Sequence, residues 1–346
     1  MTASTPNPDL VPVDRLAPRL VEATGDPRWS SFRVTMIAGG KSNLTYLLTG
    51  AAGELILRRP PSGTLLPTAH DMGREVRVQQ ALASTPVPVA PVVLAETTPA
   101  TIGVPFYVME RMDGQVIRDR IPPHYAERPE DRAKIADALI DALIRIHAVD
   151  PNLVGLSDFG RPAGFLDRQV RRWTAQSTSS RSTPVPALDE LGERLGRSVP
   201  RSARTGIVHG DFRLDNCLMH PDDPGRVSAV LDWELSTLGD PLTDLGLLLL
   251  YWPEAGEQGI PLVPTVTGQG GFPGRAHLVD RYAAGTGADL TEIAWYRAFA
   301  QFKFAVIIQG VQARADAGAM GGQAFDRVDD GVLRLAETGL NLLEAS

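Results

Sequence analysis

The sequence predicts an α+β fold, in which a small lobe with an antiparallel sheet and one helix precedes a larger, mainly helical lobe. Short β-favouring runs separated by turns cluster before residue 112, and helical periodicity dominates after it. The length of 346 residues also exceeds what a single compact core usually holds. We therefore expect a lead-in over residues 1–30, a first lobe over 31–112 and a second lobe over 113–346.

The first lobe begins with strand-like runs around a glycine turn. Between Arg33 and Arg59 the chain reads R-V-T-M-I, A-G-G-K-S-N, L-T-Y-L-L and E-L-I-L-R-R, as in the start of a β-meander. The stretch A-H-D-M-G-R-E-V-R-V-Q-Q-A-L suits a helix, and a proline-rich segment ends it. The runs V-V-L-A-E and V-P-F-Y-V-M-E-R complete five expected strands and one helix.

Helical periodicity dominates the second lobe. Apolar residues recur at helical spacing from Glu130 to His147, which predicts an amphipathic helix. Residues 151–204 are rich in Ser, Pro, Gly and Arg and are interpreted as an insertion that flanks a cleft. Three further helices are predicted near residues 275–285, 290–315 and 324–344.

Composition limits the partners. A net charge of -7 argues against a nucleic-acid binder and suits a neutral or cationic substrate. The single cysteine, Cys217, cannot form an internal disulfide, and the start of the chain does not resemble a signal peptide, so a reducing cytoplasm is expected. The longest apolar run, L-G-L-L-L-L-Y-W, is far shorter than the ~20 residues of a membrane span. A monomer and a homodimer are both compatible with the sequence.

The main functional signal is a series of three polar clusters between apolar runs. I-V-H-G-D-F-R-L-D-N spans residues 207–216, A-V-L-D-W-E spans 229–234 and G-D-P-L-T-D-L-G spans 239–246. A single Asp in such a run is more often a turn or strand-end residue. The order of the clusters favours a functional site instead.

Three residues of these clusters fit phosphoryl transfer. If residues 226–231 form a strand or hairpin, Asp211, Asn216 and Asp232 emerge into one cleft. The reaction needs hard oxygen ligands for magnesium and a carboxylate that orients the attacking hydroxyl. Protein kinases place an Asp five positions before an Asn, with a second Asp on a following strand as the main magnesium ligand. The order and the first spacing are the same here.

The pattern H-G-D-x-x-x-x-N, followed by L-D-W and G-D-P-x-x-D-L, resembles the aminoglycoside phosphotransferase and choline kinase family, relatives of protein kinases. The resemblance covers roughly residues 30 to 310. It implies a protein-kinase-like bilobal fold and a small-molecule kinase that uses ATP and Mg²⁺. Gly210 stands where protein kinases usually have Arg, and Trp233 follows the metal Asp, which favours the small-molecule branch. The sequence does not distinguish ATP from GTP as the donor.

The resemblance assigns roles to the residues of these clusters. Asp211 would accept or orient the proton of the substrate hydroxyl, and Asn216 and Asp232 would bind magnesium that bridges the ATP phosphates. His209 and Asp244 would be structural, with Asp244 bracing the catalytic loop. From its own context, Asp240 before a proline is interpreted as a helix N-cap.

The first lobe supplies candidate phosphate-binding residues. The turn A-G-G-K-S-N could lay backbone N–H groups over phosphates, which makes Gly40, Ser42 and Asn43 candidates, although an ordinary hairpin turn explains the stretch on its own. The resemblance places Arg58 where kinases have the lysine that holds the α- and β-phosphates, with Glu75 as its partner.

Two alternatives in the first lobe stay open. Arg59 rivals Arg58, because strand alternation lets only one of the pair point into the cleft. The segment M-E-R-M-D-G matches the linker that meets adenine through its backbone, so Glu110 and Met112 are candidate positions, and an ordinary strand end is the other interpretation.

Two segments suggest an acceptor. G-G-K-S-N-L-T-Y and L-R-R-P-P-S-G-T-L-L-P-T-A-H-D-M-G-R-E are similar to the kinase domain that some larger proteins join to an acyl-CoA dehydrogenase and that acts on hydroxyacyl-CoA. We expect that acceptor class ahead of aminoglycosides. The sequence also allows two other functions. One is a nucleotide-binding regulatory module without turnover, for which the unusual Arg58 is the only ground, and the other is a metal-dependent hydrolase, which gives no reason for the glycine-turn lobe.

Overall fold

The chain divides into two units in the computed structural model. The structure describes residues 10–37, 43–61, 71–180, 184–316 and 328–345. Unit 1 comprises Met1–Gly114 and Ser228–Glu234, and unit 2 comprises Gln115–Val227 and Leu235–Ser346. Asp232 therefore belongs to unit 1, although it follows the H-G-D motif of unit 2 in the sequence.

Unit 1 is built on a five-stranded antiparallel sheet with strand order β1-β2-β3-β5-β4. Its elements, in chain order, are helix α1 (Val13–Thr24), strands β1 (Phe32–Ile37), β2 (Leu44–Gly50) and β3 (Gly53–Arg59), helix α2 (Met72–Leu82), and strands β4 (Val92–Glu96) and β5 (Phe106–Glu110). Arg58 on the central strand pairs in register with Thr45 of β2 and Tyr107 of β5. The backbone of Arg58 is thus fixed by both neighbouring strands.

Alternation along β3 sends successive side chains to opposite faces of the sheet. Leu55 and Leu57 join a buried cluster with Leu16 and Leu20 of α1. Ile56 joins a different cluster, which contains Met72 and Val76 of α2. Each face of the sheet is therefore covered by one helix, and the alternation carries on to the two arginines that end the strand.

Helix α1 lies inside the segment 1–30 that was expected to be a lead-in, so that expectation missed a structural element. Leu16 and Leu20 are fully buried against the sheet, one helical turn apart. Gly25 ends the helix in the left-handed region with φ 69°, and its N–H donates to the carbonyl of Val21. The spacing of the apolar residues and the glycine after the last turn are both sequence signals that indicate a helix here.

Unit 2 is mainly helical. Its helices are α3 (Pro129–Ala148), α4 (Phe165–Ser180), α5 (Pro186–Arg197), α6 (Leu242–Leu250), α7 (Arg275–Thr286), α8 (Ile293–Asp316) and α9 (Val328–Glu344). Its strands are β6 (Gln115–Val116), β7 (Gly206–Val208), β8 (Cys217–His220), β9 (Asp223–Val230), whose last residues belong to unit 1, and β10 (Thr237–Gly239). Strands β7 and β10 pair antiparallel, and β6, β8 and β9 form a three-stranded sheet.

The core of unit 2 includes the stretch expected to be an insertion. Helices α4 and α5 contribute Trp173 and Leu191 to the same buried cluster as Phe302 of α8. Their apolar faces were visible as helical islands, but the surrounding polar residues suggested a surface segment. In the described part of the chain, none of the helices combines the length and apolar character that a membrane span requires.

Gly246 sets the approach of α6 to α8. A Cβ added at Gly246 would lie 2.6 Å from the backbone oxygen of Tyr296, which cannot move aside as a side chain can. We expect Gly246→Ala to lower the free energy of unfolding by about 1–3 kcal/mol through overpacking. Urea denaturation measures this loss.

Gly310, inside α8, is the matched control for that substitution. Among the described residues, an added Cβ there would meet only the guanidinium of Arg314, at 3.5 Å. Gly310→Ala should therefore leave stability unchanged or raise it by about 0.5–1 kcal/mol, as a helix-interior glycine predicts. Equal effects of the two substitutions would show that the α6–α8 contact does not limit stability.

Candidate active site

The H-G-D motif forms a loop that follows β7 and runs from His209 to Asn216, here called the 209–216 loop. Gly210 adopts φ 86°, in the left-handed region. A Cβ on Gly210 would lie 2.7 Å from the carbonyl oxygen of Leu235. Conformation and close packing both require glycine at this position.

Asn216 holds the predicted catalytic carboxylate. Its side-chain nitrogen donates to the backbone oxygen of Asp211 at 2.8 Å and to the Asp211 carboxylate at 3.0 Å. A short 3₁₀ turn from Leu214 to Asn216 brings the two residues together. These bonds use only the amide nitrogen, so the amide oxygen, which is the atom that magnesium prefers, is not consumed by them.

Asp244, in the first turn of α6, lies beneath this loop. Its carboxylate is fully buried and accepts the backbone N–H groups of His209 at 2.6 Å and Gly210 at 2.8 Å. Buried His147 places Nε2 at 3.2 Å from the same carboxylate, and its Nδ1 lies 2.8 Å from the hydroxyl of Tyr282. Since a carboxylate only accepts, Nε2 is the donor. Helix α3, which carries His147, is tied to the loop through Asp244.

The pKa of Asp244 reflects these contacts. Burial alone would raise it, but the hydrogen bond from His147, the charges of His147 and His209 and the Gly210 N–H together hold the pKa below its usual range. The carboxylate therefore stays ionised, which the two backbone donors require.

Asp240 caps the start of α6 with its side chain, but the helix begins one residue later than predicted. Its Oδ1 accepts the N–H of Leu242 at 3.0 Å, and its Oδ2 accepts the hydroxyl of Tyr296 at 2.8 Å. Helix α6 begins at Leu242, so Pro241 stands at the cap position and not at the first helical position. The side-chain cap itself is present.

Sequence reasoning missed Arg213, which lies beside Asp211. The Arg213 Nε is 3.4 Å from Oδ2 of Asp211 and 3.2 Å from Oδ1 of buried Asp215. Its guanidinium stacks over the ring of Tyr251, 4.9 Å from the ring centroid. The position of Arg213, two residues after Asp211, was the available signal.

Lys303 of α8 was also missed. Its Nζ donates to the carbonyl oxygen of Gly210 at 3.0 Å and lies 5.8 Å from the ring centroid of Trp173. Helix α8 was predicted from periodicity, but a lone lysine on it gave no functional signal.

Unit 1 contains a second charged group, the Arg58 cluster, made up of Asn43, Arg58, Glu75 and Asp232. Arg58 places Nη2 at 2.9 Å from Oδ1 of Asp232 and Nε at 3.5 Å from Oε2 of Glu75. Glu75 also accepts the amide of Asn43 at 2.7 Å and the hydroxyl of Tyr107 at 2.9 Å. The structure brings four of the predicted residues of unit 1 together around one guanidinium.

Glu75 is fully buried, and its environment affects its protonation. Burial raises the pKa of Glu75 to about 7, while the charge of Arg58 and the hydrogen bond from Tyr107 oppose the rise. Gln79, one turn further along α2, hydrogen-bonds the same tyrosine hydroxyl at 3.1 Å. The hydroxyl of Tyr107 thus links two successive turns of α2 to the sheet.

The chain around Asp232 has an unusual conformation. Asp232 has φ 65°, in the left-handed region, where a residue other than glycine is strained. Trp233 is buried and donates Nε1 to the carbonyl of Val230 at 3.0 Å, which anchors the turn. Glu234, which sequence reasoning did not select, accepts the Asn43 amide at 3.1 Å. Asn43 thus links the turn to Glu75.

Strand alternation separates Arg58 from Arg59. Arg58 shares the face of Ile56 and α2, whereas Arg59 shares the face of Leu57 and α1. Arg59 is buried, and its guanidinium donates to the carbonyl oxygens of Leu10 at 2.5 Å and Pro60 at 3.1 Å. Arg59 is therefore tied to the backbone of its own unit.

The remaining predicted positions lie apart from these groups. Glu110 ends β5 with an exposed side chain, and its backbone N–H donates to Pro91. Met112 packs against the cluster that contains Ile56. Gly40 and Ser42 lie outside the described residues.

The predicted metal ligands are one carboxylate, Asp232, and one amide, Asn216. In the described ranges, no three His, Cys, Asp or Glu side chains form a group suited to hold a metal ion. Magnesium commonly binds through one or two protein groups together with substrate phosphates, and a carboxylate or an amide oxygen is the type of ligand that it prefers. Asn216 belongs to unit 2 and Asp232 to unit 1.

Asp244→Asn tests the bracing of the 209–216 loop. We expect the substitution to lower the free energy of unfolding by about 3 kcal/mol at neutral pH, because a buried charge partner is lost. The wild-type contribution is full above the ordinary Asp pKa of 3.8 and is lost as the pH falls through the lowered folded-state pKa. The difference in the free energy of unfolding between the wild type and Asp244→Asn should therefore become smaller at acidic pH.

Urea denaturation between about pH 7 and about pH 3 measures that difference. Asp113→Asn is the control, since the Asp113 side chain is 74% exposed and pairs only at the surface with Arg111. If Asp244→Asn lowered the free energy of unfolding no more than the control does, Asp244 would not stabilise the 209–216 loop.

Sequence comparisons extend these observations. The profile of the phosphotransferase enzyme family matches residues 33–299. Acyl-CoA dehydrogenase family member 11 of Rattus norvegicus is 38% identical over an alignment of 317 residues, which covers 89% of this chain and 40% of that protein. The chain thus spans less than half the length of that relative.

Solved structures agree with the profile. A Ralstonia eutropha crystal structure, described as that of a candidate aminoglycoside phosphotransferase, is 32% identical with a TM-score of 0.80, covering 96% of this chain and 98% of that one. Choline kinase of Cryptosporidium parvum shares the fold at 12% identity, with a TM-score of 0.60 and 94% coverage of both chains. These likenesses confirm the predicted α+β, protein-kinase-like fold class. Because the profile covers most of the chain, we conclude that it belongs to the phosphotransferase enzyme family.

Proposed function

We propose that this protein is an ATP- and Mg²⁺-dependent small-molecule kinase that transfers the γ-phosphate to a substrate hydroxyl. The observation that carries the proposal is the 209–216 loop, in which Asn216 holds Asp211 and Asp244 holds the loop backbone. A fixed carboxylate is what the orientation of a hydroxyl nucleophile requires. Membership of a phosphotransferase family supports the same reaction class.

The residues of unit 2 would act on the acceptor. Asp211 would accept a hydrogen bond from the acceptor hydroxyl and take its proton as the new O–P bond forms and the bond from Pγ to the bridging oxygen of ADP breaks. Asn216 would fix the direction of the carboxylate. Arg213 beside Asp211 would favour its ionised form.

The residues of unit 1 would act on the donor. Magnesium, when bound, neutralises phosphate charge, and Asp232 with Asn216 would supply its oxygen ligands. Arg58 would then exchange its contact with Asp232 for the α- and β-phosphates, because its planar fork suits phosphate oxygens. Glu75 would keep the guanidinium in place. The contacts of Arg59 with Leu10 and Pro60 favour Arg58 as the phosphate ligand.

For the acceptor we propose a hydroxyacyl-CoA ahead of an aminoglycoside. The support is the similarity to acyl-CoA dehydrogenase family member 11, of which this chain spans 40%. The arginines of α5 could meet an acceptor phosphate such as that of CoA, but their present contacts give this little support. Arg194 pairs with Glu190 and Arg197 with Glu193, each one turn away on the same helix.

A regulatory nucleotide-binding module without turnover is the second candidate. The observation that favours it is the contact of Arg58 with Asp232, which occupies a predicted metal ligand. Tight binding of Mg-ATP without consumption of any hydroxyl compound would support this alternative.

Asp211→Asn separates the two functions. The substitution keeps the side-chain size but removes the proton acceptor, so acceptor-dependent transfer should fall by about 10²–10⁴-fold while Mg-ATP affinity changes little. The measurement is transfer of labelled γ-phosphate from Mg-ATP to a panel that includes hydroxyacyl-CoAs and aminoglycosides. Asp280→Asn, at an exposed position of α7, serves as the control and should retain wild-type turnover. Undiminished transfer by the Asp211 variant would exclude the assigned role.

Arg58→Ala tests the donor site. Loss of a charge-assisted contact to phosphate should raise the KM for ATP by roughly 10–100-fold, and Arg58→Lys should recover part of the loss. Arg15→Ala, which removes an exposed arginine from α1, should leave that KM unchanged. Steady-state kinetics with varied Mg-ATP provide the measurement. An unchanged KM in Arg58→Ala would assign the phosphate contact to another residue.

A further inference from the structure

Lysine is rare in this protein, which makes its position in α8 notable. Among 34 basic residues the sequence has only three lysines, at positions 41, 134 and 303, and the others are arginines. Lys134 is on α3 and pairs at the surface with Asp131. Lys303 instead lies partly buried and donates to the carbonyl of Gly210.

Lys303 and Asp244 together fix the two peptide groups that flank Gly210. The Gly210 N–H donates to Asp244 at 2.8 Å, and the Gly210 carbonyl accepts from Lys303 at 3.0 Å. The carbonyl of Gly210 belongs to the same peptide plane as the N–H of Asp211. A contact at this oxygen therefore acts directly on the orientation of the Asp211 backbone.

The surroundings of the ammonium group are mixed in charge. Asp211 of the 209–216 loop and Asp244 of α6 favour its charged form, whereas Arg172 of α4 opposes it. The face of the Trp173 ring, 5.8 Å away, also favours a cation. Burial is the largest influence and lowers the pKa of Lys303 below its ordinary value of 10.5.

We propose that Lys303 is a positioning residue for phosphoryl transfer, whose protonated side chain holds the Gly210 carbonyl and keeps Asp211 aligned and ionised. This inference rests on the proposed kinase function. In the step itself the acceptor proton passes to Asp211, the acceptor oxygen bonds to Pγ, and ADP leaves with the electron pair of the broken bond. Lys303 exchanges no proton in that step.

Because residue 303 is a lysine, the turnover number should depend on pH. An arginine in this place would stay charged at every accessible pH, whereas a buried lysine loses its proton at a lower pH than an exposed lysine does. When Lys303 becomes neutral, Asp211 loses a nearby positive charge and the Gly210 contact weakens. The turnover number should therefore decline with rising pH, starting below the pH at which an exposed lysine titrates.

The first test needs no turnover. In the full-length protein labelled with [ε-¹³C]lysine, NMR should give three signals, and Lys303→Arg and Lys134→Arg assign them. We expect the Lys303 signal to titrate below 10.5 and to titrate lower still in Asp211→Asn, which removes a negative charge. Asp113→Asn is the control and should leave the signal unchanged. A Lys303 titration that is identical in Asp211→Asn and wild type would overturn the coupling.

The second test is kinetic. Lys303→Met should lower the turnover number by about tenfold or more, because a displaced catalytic group is costly, with the KM for ATP nearly unchanged. Lys303→Arg should recover part of the turnover number and move the alkaline decline to higher pH. Lys134→Met is the control. Wild-type turnover and an unaltered pH profile in Lys303→Met would overturn the proposal.

The two tests separate this inference from the proposed function. If the wild-type protein consumed no hydroxyl acceptor, the kinase function would fail, and the inference, which rests on it, would fail as well, even if the NMR titration showed coupling. If wild-type transfer were robust and both Lys303 tests were negative, only the positioning role would fail. If Lys303→Met did not fold, Lys303→Arg and the Asp211→Asn titration would decide the matter.

Discussion

The candidate site depends above all on one buried carboxylate. Asp244 accepts the backbone N–H groups of His209 and Gly210, and His147 supports it from α3. Two amide donors without a partner in a buried place would each be costly, so the loop backbone and the ionised carboxylate stabilise one another. The side chain of Asp211 is in turn held by the hydrogen bond from Asn216. A carboxylate aligned in advance would lower the entropic cost of positioning the nucleophile during phosphoryl transfer.

In unit 1, the sheet and a buried carboxylate together orient the guanidinium of Arg58. Arg58 is held by a central strand, and sheet alternation sends its side chain to the face covered by α2. Glu75 is buried there with donors from Tyr107 and Asn43, which offset the cost of burying a carboxylate. The guanidinium is thus oriented by a partner that is itself fixed. In the proposed mechanism, the contact of Arg58 with Asp232 is the one that must give way when a nucleotide and its metal bind.

Local sequence patterns predicted much of this arrangement. The order of the polar clusters predicts Asp211, Asn216 and Asp232 as site residues, and the structure shows Asp211 and Asn216 in contact within one loop. Period-two alternation accounts for the different surroundings of Arg58 and Arg59. The contacts of Lys303 with Gly210 and of His147 with Asp244 were not predicted, because they join residues 93 and 97 positions apart and no local periodicity records such pairs. Helix α1 was missed for another reason: its short apolar stripe lay in a segment set aside as a lead-in, although Leu16 and Leu20 are fully buried.

A crystal structure with Mg²⁺ and a non-hydrolysable ATP analogue tests the central claim most directly. The account predicts magnesium bound by the carboxylate of Asp232 and the amide oxygen of Asn216, Arg58 on the α- and β-phosphates, and Asp211 free of the metal. A metal held by other residues, or a nucleotide that leaves Arg58 paired with Asp232, would contradict it.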